Sequence, residues 1–181
     1  LGEHHNFERL CVAPLDPNVA MSSYETVVDR VAEVAAEKYP KLKVAFKNPW
    51  YDDPDYIKVL SQSMKESIPE DHHVLFSYHG IPVRHVKKSD CTGRHCYQVK
   101  DCCNVPSSAH RTCYKHQTAV TTKLVAEALE LEEGTYETSY QSRLGRDPWI
   151  QPYTAQRFEE LPGEGKKKLA VVCTAFVSDC L

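Results

Sequence analysis

The stretch that decides the fold is HHVLFSYHG, residues 72–80. Its centre is apolar and it ends at Gly80, which is typical of a strand buried on both faces of a parallel sheet. Shorter apolar runs and segments of helical periodicity lie on both sides of it, and they alternate along the chain. This alternation predicts an α/β fold, a doubly wound parallel sheet covered by helices on both faces.

Periodicity and end signals assign the individual elements. Five strands are predicted, at residues 7–15, 41–48, 72–80, 135–142 and 167–176. Four helices are predicted, at residues 21–40, from 53 onward, at 114–131 and at 154–161. Ser22 and Glu25 have the spacing of a capping box, and Asp53 followed by Pro54 is typical of a helix start. The length of 181 residues fits a single domain over residues 1–181.

Composition excludes some classes of function. The net charge is −3 at pH 7 and the pI is near 6.3. No basic stripe is present to neutralise phosphates, which argues against a nucleic-acid partner. The basic run at residues 166–168 is interpreted as a solvated lead-in to a strand. No apolar segment is long enough to cross a bilayer, so we expect membrane association to be peripheral at most and the location to be cytoplasmic.

Five of the eight cysteines lie in one irregular stretch, SDCTGRHCYQVKDCCNVPSSAHRTCYKHQ, residues 89–117. Adjacent Cys102 and Cys103 cannot easily bond each other, and a secreted scaffold distributes its disulfides. The clustering therefore favours a reducing compartment and a metal site. A structural zinc site and free thiols are the alternatives, although no CxxC pair supports zinc. The flanking histidines are candidate ligands or donors to the ligands: His85, His95, His110 and His116. The remaining cysteines are expected to be buried small side chains: Cys11, Cys173 and Cys180.

Ligands of open α/β sheets bind beyond the carboxyl ends of the strands. His79 ends the central apolar strand, and an imidazole can accept and release a proton near neutral pH. The alternative is a histidine that only fixes the turn. In the loop after the fourth strand, Arg143 could pair with a carboxylate, and Trp149 and Tyr153 offer flat apolar faces. The alternative there is a proline-rich turn anchored by a buried tryptophan.

Several segments resemble motifs of the ferrochelatase family, in the family's order: AMSSYETVV (20–28), VLFSYHGIP (74–82), YQSRLGRDPWIQPYT (140–154) and VVCTAFVSDCL (171–181). The resemblance implies one Rossmann-like, chelatase-type half of an enzyme of haem biosynthesis. Such an enzyme inserts its substrate, ferrous iron, into a porphyrin held between two halves. By this resemblance His79 accepts pyrrole protons or delivers the metal. The residues implied to bind porphyrin are Tyr78, Gln141, Ser142, Arg143, Trp149 and Tyr153.

The resemblance also gives the cysteines a role, because some bacterial ferrochelatases carry a [2Fe–2S] cluster. Their ligands lie in an internal segment soon after the catalytic histidine, as residues 86–113 do here. A cluster of this type takes four thiolates. The ligands implied are Cys96, Cys102, Cys103 and Cys113, with Cys91 as the alternative ligand.

The sequence departs from the family pattern in several places. The family enzyme is roughly twice as long, so we expect a missing N-terminal half as a partner, a catalytic glutamate beyond Leu181, and possible homodimers. Asp16 and Val19 stand where the family usually has aromatic residues, and Thr174 stands where proline is frequent. One hypothesis is an excised half, natural or engineered, in which Asp16 and Val19 replace cleft-facing aromatic residues and make a newly exposed surface more soluble. The competing functions are an active iron-inserting enzyme, a cluster-binding fragment without turnover, and a zinc-stabilised binding module.

Overall fold

The computed structural model describes residues 7–174, and the predictions for Cys180 and the end of the last strand fall outside this range. Within it, parallel strands alternate with helices, so the predicted α/β class is confirmed. The strands are β1 (Arg9–Val12), β2 (Lys43–Phe46), β3 (His73–His79), β4 (Tyr136–Gln141) and β5 (Leu169–Val172). The helices are α1 (Thr26–Lys38), α2 (Pro54–Lys65), α3 (Val83–Lys88), α4 (Tyr114–Ala128) and α5 (Thr154–Glu160). A π-helical turn, Met21–Glu25, precedes α1, and a 3₁₀ turn, Ser108–Thr112, precedes α4.

The strands pair into two parallel sheets within the described residues, rather than the single sheet that the alternation predicts. One sheet joins β1 to β2, and the other has the order β4-β3-β5. The central position of β3 follows from its sequence, because every side chain from His73 to Tyr78 is buried. Its last residue, His79, lies opposite Gln141, the last residue of β4. The carboxyl ends of these two strands therefore meet at one edge of the sheet.

Helix α4 packs against α2 and β4, and its buried face carries hydroxyl groups as well as apolar groups. The Thr122 side chain lies 3.1 Å from the Tyr78 hydroxyl, and Thr118 lies 2.9 Å from the Tyr140 hydroxyl. Burial raises the pKa of Tyr78 to about 12, so this hydroxyl stays neutral in the core. The threonines thus satisfy tyrosine hydroxyls that would otherwise lie unpaired in an apolar layer.

The two predicted helix starts have different outcomes. Asp53 caps α2 as expected, since its Oδ1 accepts the Asp55 N–H at 3.1 Å with Pro54 at the first position. The capping box is wrong. Ala20 occupies the cap position without a side-chain cap, and its carbonyl accepts the N–H groups of Ser23 and Glu25. Ser22 already lies inside the helical turn, so its hydroxyl cannot cap it.

Burial overturns three further expectations. Cys11 and Cys173 are exposed rather than buried. Val19 is 5% exposed, so it is not a replacement on a newly exposed surface. Across residues 7–174, no helix combines the length and apolar character needed to cross a membrane.

Candidate functional site

His79 lies at the end of β3 with its ring held by its own neighbour. The Nδ1–H donates to the Gly80 carbonyl at 2.7 Å, because a carbonyl can only accept. In the neutral ring this tautomer carries its lone pair on Nε2, the nitrogen that can take up a proton. The His79 main-chain carbonyl accepts the Tyr114 hydroxyl at 2.8 Å, which fixes the backbone at this point.

Gly80 allows the ends of β3 and β4 to approach each other closely. Its N–H donates to the Gln141 carbonyl at 2.7 Å. A Cβ at this position would lie 2.7 Å from that carbonyl oxygen and 3.2 Å from Cε3 of Trp149. Side chains larger than hydrogen do not fit here, and the close packing brings Trp149 to a ring distance of 6.4 Å from His79.

A cavity of about 200 Å³ opens beside His79. Its wall consists of Asp16, Asn18, Ala20, Ser22, Ser23, His79, Ile81 and Tyr114. Asn18 is 3% exposed and its Nδ2 has no hydrogen-bond partner. Burial raises the pKa of the half-buried Asp16, against the effect of a hydrogen bond from Ser23. The cavity therefore combines an imidazole, a carboxyl and an unsatisfied amide, an arrangement that a polar ligand would satisfy.

The loop after β4 presents the other residues of the predicted site. Arg143 is exposed, with its guanidinium 5.3 Å from the centre of the Tyr153 ring. The Trp149 indole N–H donates to the Leu144 carbonyl at 2.9 Å, which turns the loop back on itself. Ser142 is exposed in the left-handed backbone region, at φ 68°. The loop thus holds a cation and two aromatic rings near the end of β4.

Tyr78 does not lie at this edge. Its side chain is 0% exposed and points into the core towards α4, with its hydroxyl at Thr122. Because neighbouring residues of a strand face opposite sides of the sheet, Tyr78 and His79 cannot both line the same cavity. Tyr78 therefore supports the sheet in this fold, and we leave it out of the proposed site.

The cysteine segment brings four thiols into one group. Cys96 and Cys113 are 1% and 2% exposed, and Cys102 and Cys103 are half-buried. A hydrogen bond from the Cys103 thiol lowers the pKa of Cys113, with burial opposing and the Cys96 thiol and the His116 N–H assisting. The pKa of Cys96 is raised mainly by burial and that of Cys103 mainly by its hydrogen bond to Cys113, with a smaller contribution from the nearby Cys102 in both cases. Cys91 is exposed and turns to the Ser108 hydroxyl instead, at 3.9 Å.

Three histidines bind the backbone that carries the adjacent cysteines. The Nε2–H groups of His95 and His110 donate to the Cys102 carbonyl at 2.7 and 2.9 Å. The Nδ1–H of His116 donates to the Cys103 carbonyl at 2.8 Å. The rings of His110 and His116 stack at 3.6 Å. These histidines act as donors to the peptide groups, one of the two roles expected from the sequence, and His85 is not part of the group.

Asp90 organises the turn that leads to Cys96. Its carboxylate accepts the N–H and hydroxyl of Thr92 at 2.8 and 2.7 Å, and the N–H groups of His95 and Cys96 at 2.8 Å. Burial alone would raise the pKa of Asp90, but these hydrogen bonds outweigh it and hold the pKa well below its usual range. The sequence analysis missed this residue, although an aspartate two positions before a threonine is a common turn signal.

The four thiols are the type of donor that an iron–sulfur cluster takes. Across residues 7–174, no three His, Cys, Asp or Glu side chains are arranged to hold one metal ion. A tetrahedral zinc site needs its donors to converge on one point. A [2Fe–2S] cluster takes four cysteines. The four thiols match that number and type; Cys96 and Cys113 are buried, and Cys102 and Cys103 are half-buried.

Comparison with known proteins decides the family. The model of the family described as Ferrochelatase matches residues 2–181.

This chain belongs to the ferrochelatase family.

Relatives of this chain that carry the name include proteins from Opitutus terrae and from Pseudomonas species. The chain is 46% identical to "Ferrochelatase" of Opitutus terrae, over 95% of this chain and 50% of the relative. It is 42% identical to the proteins of that name from Pseudomonas fluorescens strain Pf0-1 and Pseudomonas entomophila, over 96% of this chain and 52% of each relative. The chain spans about half the length of the curated relatives it matches.

Sequence reasoning missed part of the cavity wall. Asp16 was interpreted as a replacement that increases solubility, whereas it lines the cavity together with His79. Asn18 was not singled out. The available signal was their position directly after β1, because the strand-end rule that selected His79 applies equally to this loop.

Proposed function

We propose that this chain forms one wall of the porphyrin site of a ferrochelatase, an enzyme of haem biosynthesis that inserts ferrous iron into a porphyrin. One observation carries the proposal: His79 shares a polar cavity with Asp16 and the buried, unsatisfied amide of Asn18. Family membership supports the reaction type. Asp16 can attract a cation, His79 can receive a proton, and the Asn18 amide N–H can donate a hydrogen bond to an acceptor on the bound molecule.

The reaction requires proton removal and no redox step. Two pyrrole N–H bonds break, their electron pairs stay on the nitrogens, and the four nitrogens bind Fe²⁺ as two protons leave. Nε2 of His79 accepts a proton, and the carboxyl group of Asp16, when ionised, attracts a divalent cation to the cavity. The aromatic faces of Trp149 and Tyr153 would contact the flat macrocycle, and Arg143 would pair with a propionate.

The test is insertion activity in the full-length enzyme that contains this segment, followed as iron-dependent loss of free-porphyrin fluorescence. We expect His79→Ala to abolish insertion and to leave the visible absorption of the protein unchanged. The matched control is His72→Ala, since His72 directly precedes β3 at its opposite end. Retention of the full rate by His79→Ala would refute the catalytic role and leave His79 as a turn residue.

We further propose that Cys96, Cys102, Cys103 and Cys113 bind a [2Fe–2S] cluster. When bound, such a cluster supplies a one-electron redox centre and a crosslink between four points of the segment. The contacts among these four thiols support this set over one that includes Cys91. The measurement is iron and acid-labile sulfide per chain. Cys103→Ser should lose both, whereas Cys91→Ser should retain both.

Two outcomes separate the competing functions. A colourless, iron-free protein that holds one zinc would contradict the cluster and favour a zinc-stabilised module. A brown protein with iron and sulfide, whose full-length enzyme inserts no iron, would favour a cluster-binding protein without turnover. The second candidate is supported by the position of all four proposed ligands within residues 96–113 of this chain.

A further inference from the structure

The first turn of α4 lies between the cysteine segment and the His79 cavity. Cys113 is the residue that caps α4, Tyr114 is its first residue, and Gln117 follows one turn later. All three are buried, at 2%, 7% and 0% exposure. The main-chain N–H of Gln117 donates to the Cys113 carbonyl at 3.0 Å, so the turn is closed by a helical hydrogen bond.

Tyr114 connects this turn to one wall of the cavity. Its hydroxyl donates to the His79 carbonyl at 2.8 Å, and its side chain is part of the cavity lining. Because Cys113 and Tyr114 are joined by a peptide bond, a displacement of the cysteine reaches the His79 backbone through a single side chain.

Gln117 connects the same turn to another part of the cavity wall. Its Oε1 accepts the N–H of Val19 at 2.7 Å, a residue 98 positions away in the loop that carries Asp16 and Asn18. Its Nε2 donates to the Arg111 carbonyl at 2.9 Å, just before Cys113. A single amide side chain therefore holds the Asp16 loop and the end of the cysteine segment at once.

We propose that Tyr114 and Gln117 are positioning residues, which fix His79 and the Asp16 loop in their places when the iron–sulfur cluster orders the cysteine segment. This inference rests on the proposed cluster and gives it a task in the enzyme. A metal site that orders a long irregular segment contributes folding free energy to that segment. Loss of the cluster frees the residue before Tyr114, and the hydrogen bonds to both walls weaken together.

The test measures the accessibility of His79 rather than turnover. Diethyl pyrocarbonate acylates neutral imidazole, and peptide mass spectrometry gives its rate at each histidine. We expect removal of iron and sulfide to raise the rate at His79 about fivefold, the factor that matches the loss of one net hydrogen bond. The rate at His72, before the opposite end of β3, should not change.

Two tyrosine variants separate positioning from folding. Tyr114→Phe removes one hydroxyl and should raise the His79 rate by a similar factor in the cluster-loaded protein. Tyr24→Phe is the matched control, because the Tyr24 hydroxyl also donates to a backbone carbonyl, that of Lys47, at 2.8 Å. In this variant, the acylation rate at His79 should equal the rate in the unmodified protein. Gln117→Leu should raise the acylation rate at His79 by a factor similar to that of Tyr114→Phe.

The possible failures are distinguishable. If iron and sulfide load normally but the His79 rate is the same with and without them, the coupling is refuted. If Tyr114→Phe and Tyr24→Phe give equal His79 rates, Tyr114 is not a positioning residue. If the protein takes up no iron and sulfide, the cluster assignment is refuted, and the two tyrosine variants still decide whether this turn positions His79.

Discussion

Gly80→Ala tests whether close approach of the strand ends builds the site. The added methyl group would lie 2.7 Å from the Gln141 carbonyl oxygen and 3.2 Å from the Trp149 ring. The first contact is with backbone, so it cannot be relieved by a side-chain rotation. The end of β3 must move away from β4, which lengthens or breaks the 2.7 Å hydrogen bond from the Gly80 N–H.

The magnitude follows from two contributions. Overpacking of this kind costs about 1–3 kcal/mol, and loss of the hydrogen bond costs about 1 kcal/mol more. The total, about 2–4 kcal/mol, is a large part of the stability of a typical domain. With a urea dependence of about 2 kcal/mol per molar, the unfolding midpoint should fall by about 1–2 M.

The assay is urea unfolding, with Gly163→Ala as the matched control. A Cβ at Gly163 would meet the Glu160 carbonyl at 3.3 Å, a contact that a small shift can relieve. Its midpoint should stay close to that of the unmodified sequence. Equal midpoints for the two variants would refute the reasoning, because the crowding at Gly80 would then have no energetic consequence.

Two other predictions concern the surface of the fold and the cysteine segment. Hydrogen bonds from Arg157 lower the pKa of Glu160 and Glu164, so the stability from these pairs is present above about pH 4.5 and is lost as the pH falls through the lowered values. The urea midpoint should therefore drop less between about pH 6 and pH 3 in Arg157→Gln than in the unmodified protein. Arg30→Gln, which removes an exposed ion pair, should keep the full drop; equal pH profiles for both variants would contradict the assignment. In the cysteine segment, His116→Leu removes the donor to the Cys103 carbonyl and should weaken retention of iron and sulfide about tenfold, measured by chelator competition. His116→Asn places an amide N–H near the same point and should restore part of the loss, whereas equal losses in both variants would exclude a hydrogen-bonding role.

The sequence was sufficient for the elements whose signals are local. The buried run at residues 72–80 predicted the central strand, and Asp53 with Pro54 predicted the start of α2. The Ser22–Glu25 capping box failed because the Ala20 carbonyl accepts the N–H groups there. Helix α3 was missed because six residues are too few for a periodic pattern to emerge.

Long-range contacts account for what the sequence could not predict. Division of the strands into two sheets depends on pairing between distant segments, which periodicity does not encode. Val19 was expected at an exposed surface, but its N–H is bound by Gln117 from a helix far along the chain. The grouping of Cys96, Cys102, Cys103 and Cys113 was expected from family resemblance, and the spacing alone did not separate them from Cys91.

The threonine–tyrosine contacts of α4 have a mechanical consequence. A purely apolar interface tolerates sliding, because one methyl group can replace another with little loss. The pairs Thr118–Tyr140 and Thr122–Tyr78 oppose sliding. A shift of one residue would leave buried hydroxyl groups without hydrogen-bond partners, at a cost of about 1–3 kcal/mol each. These hydrogen bonds consequently fix the position of α4 along its own axis relative to the sheet. A displacement at the amino end of the helix is therefore confined to its first turn.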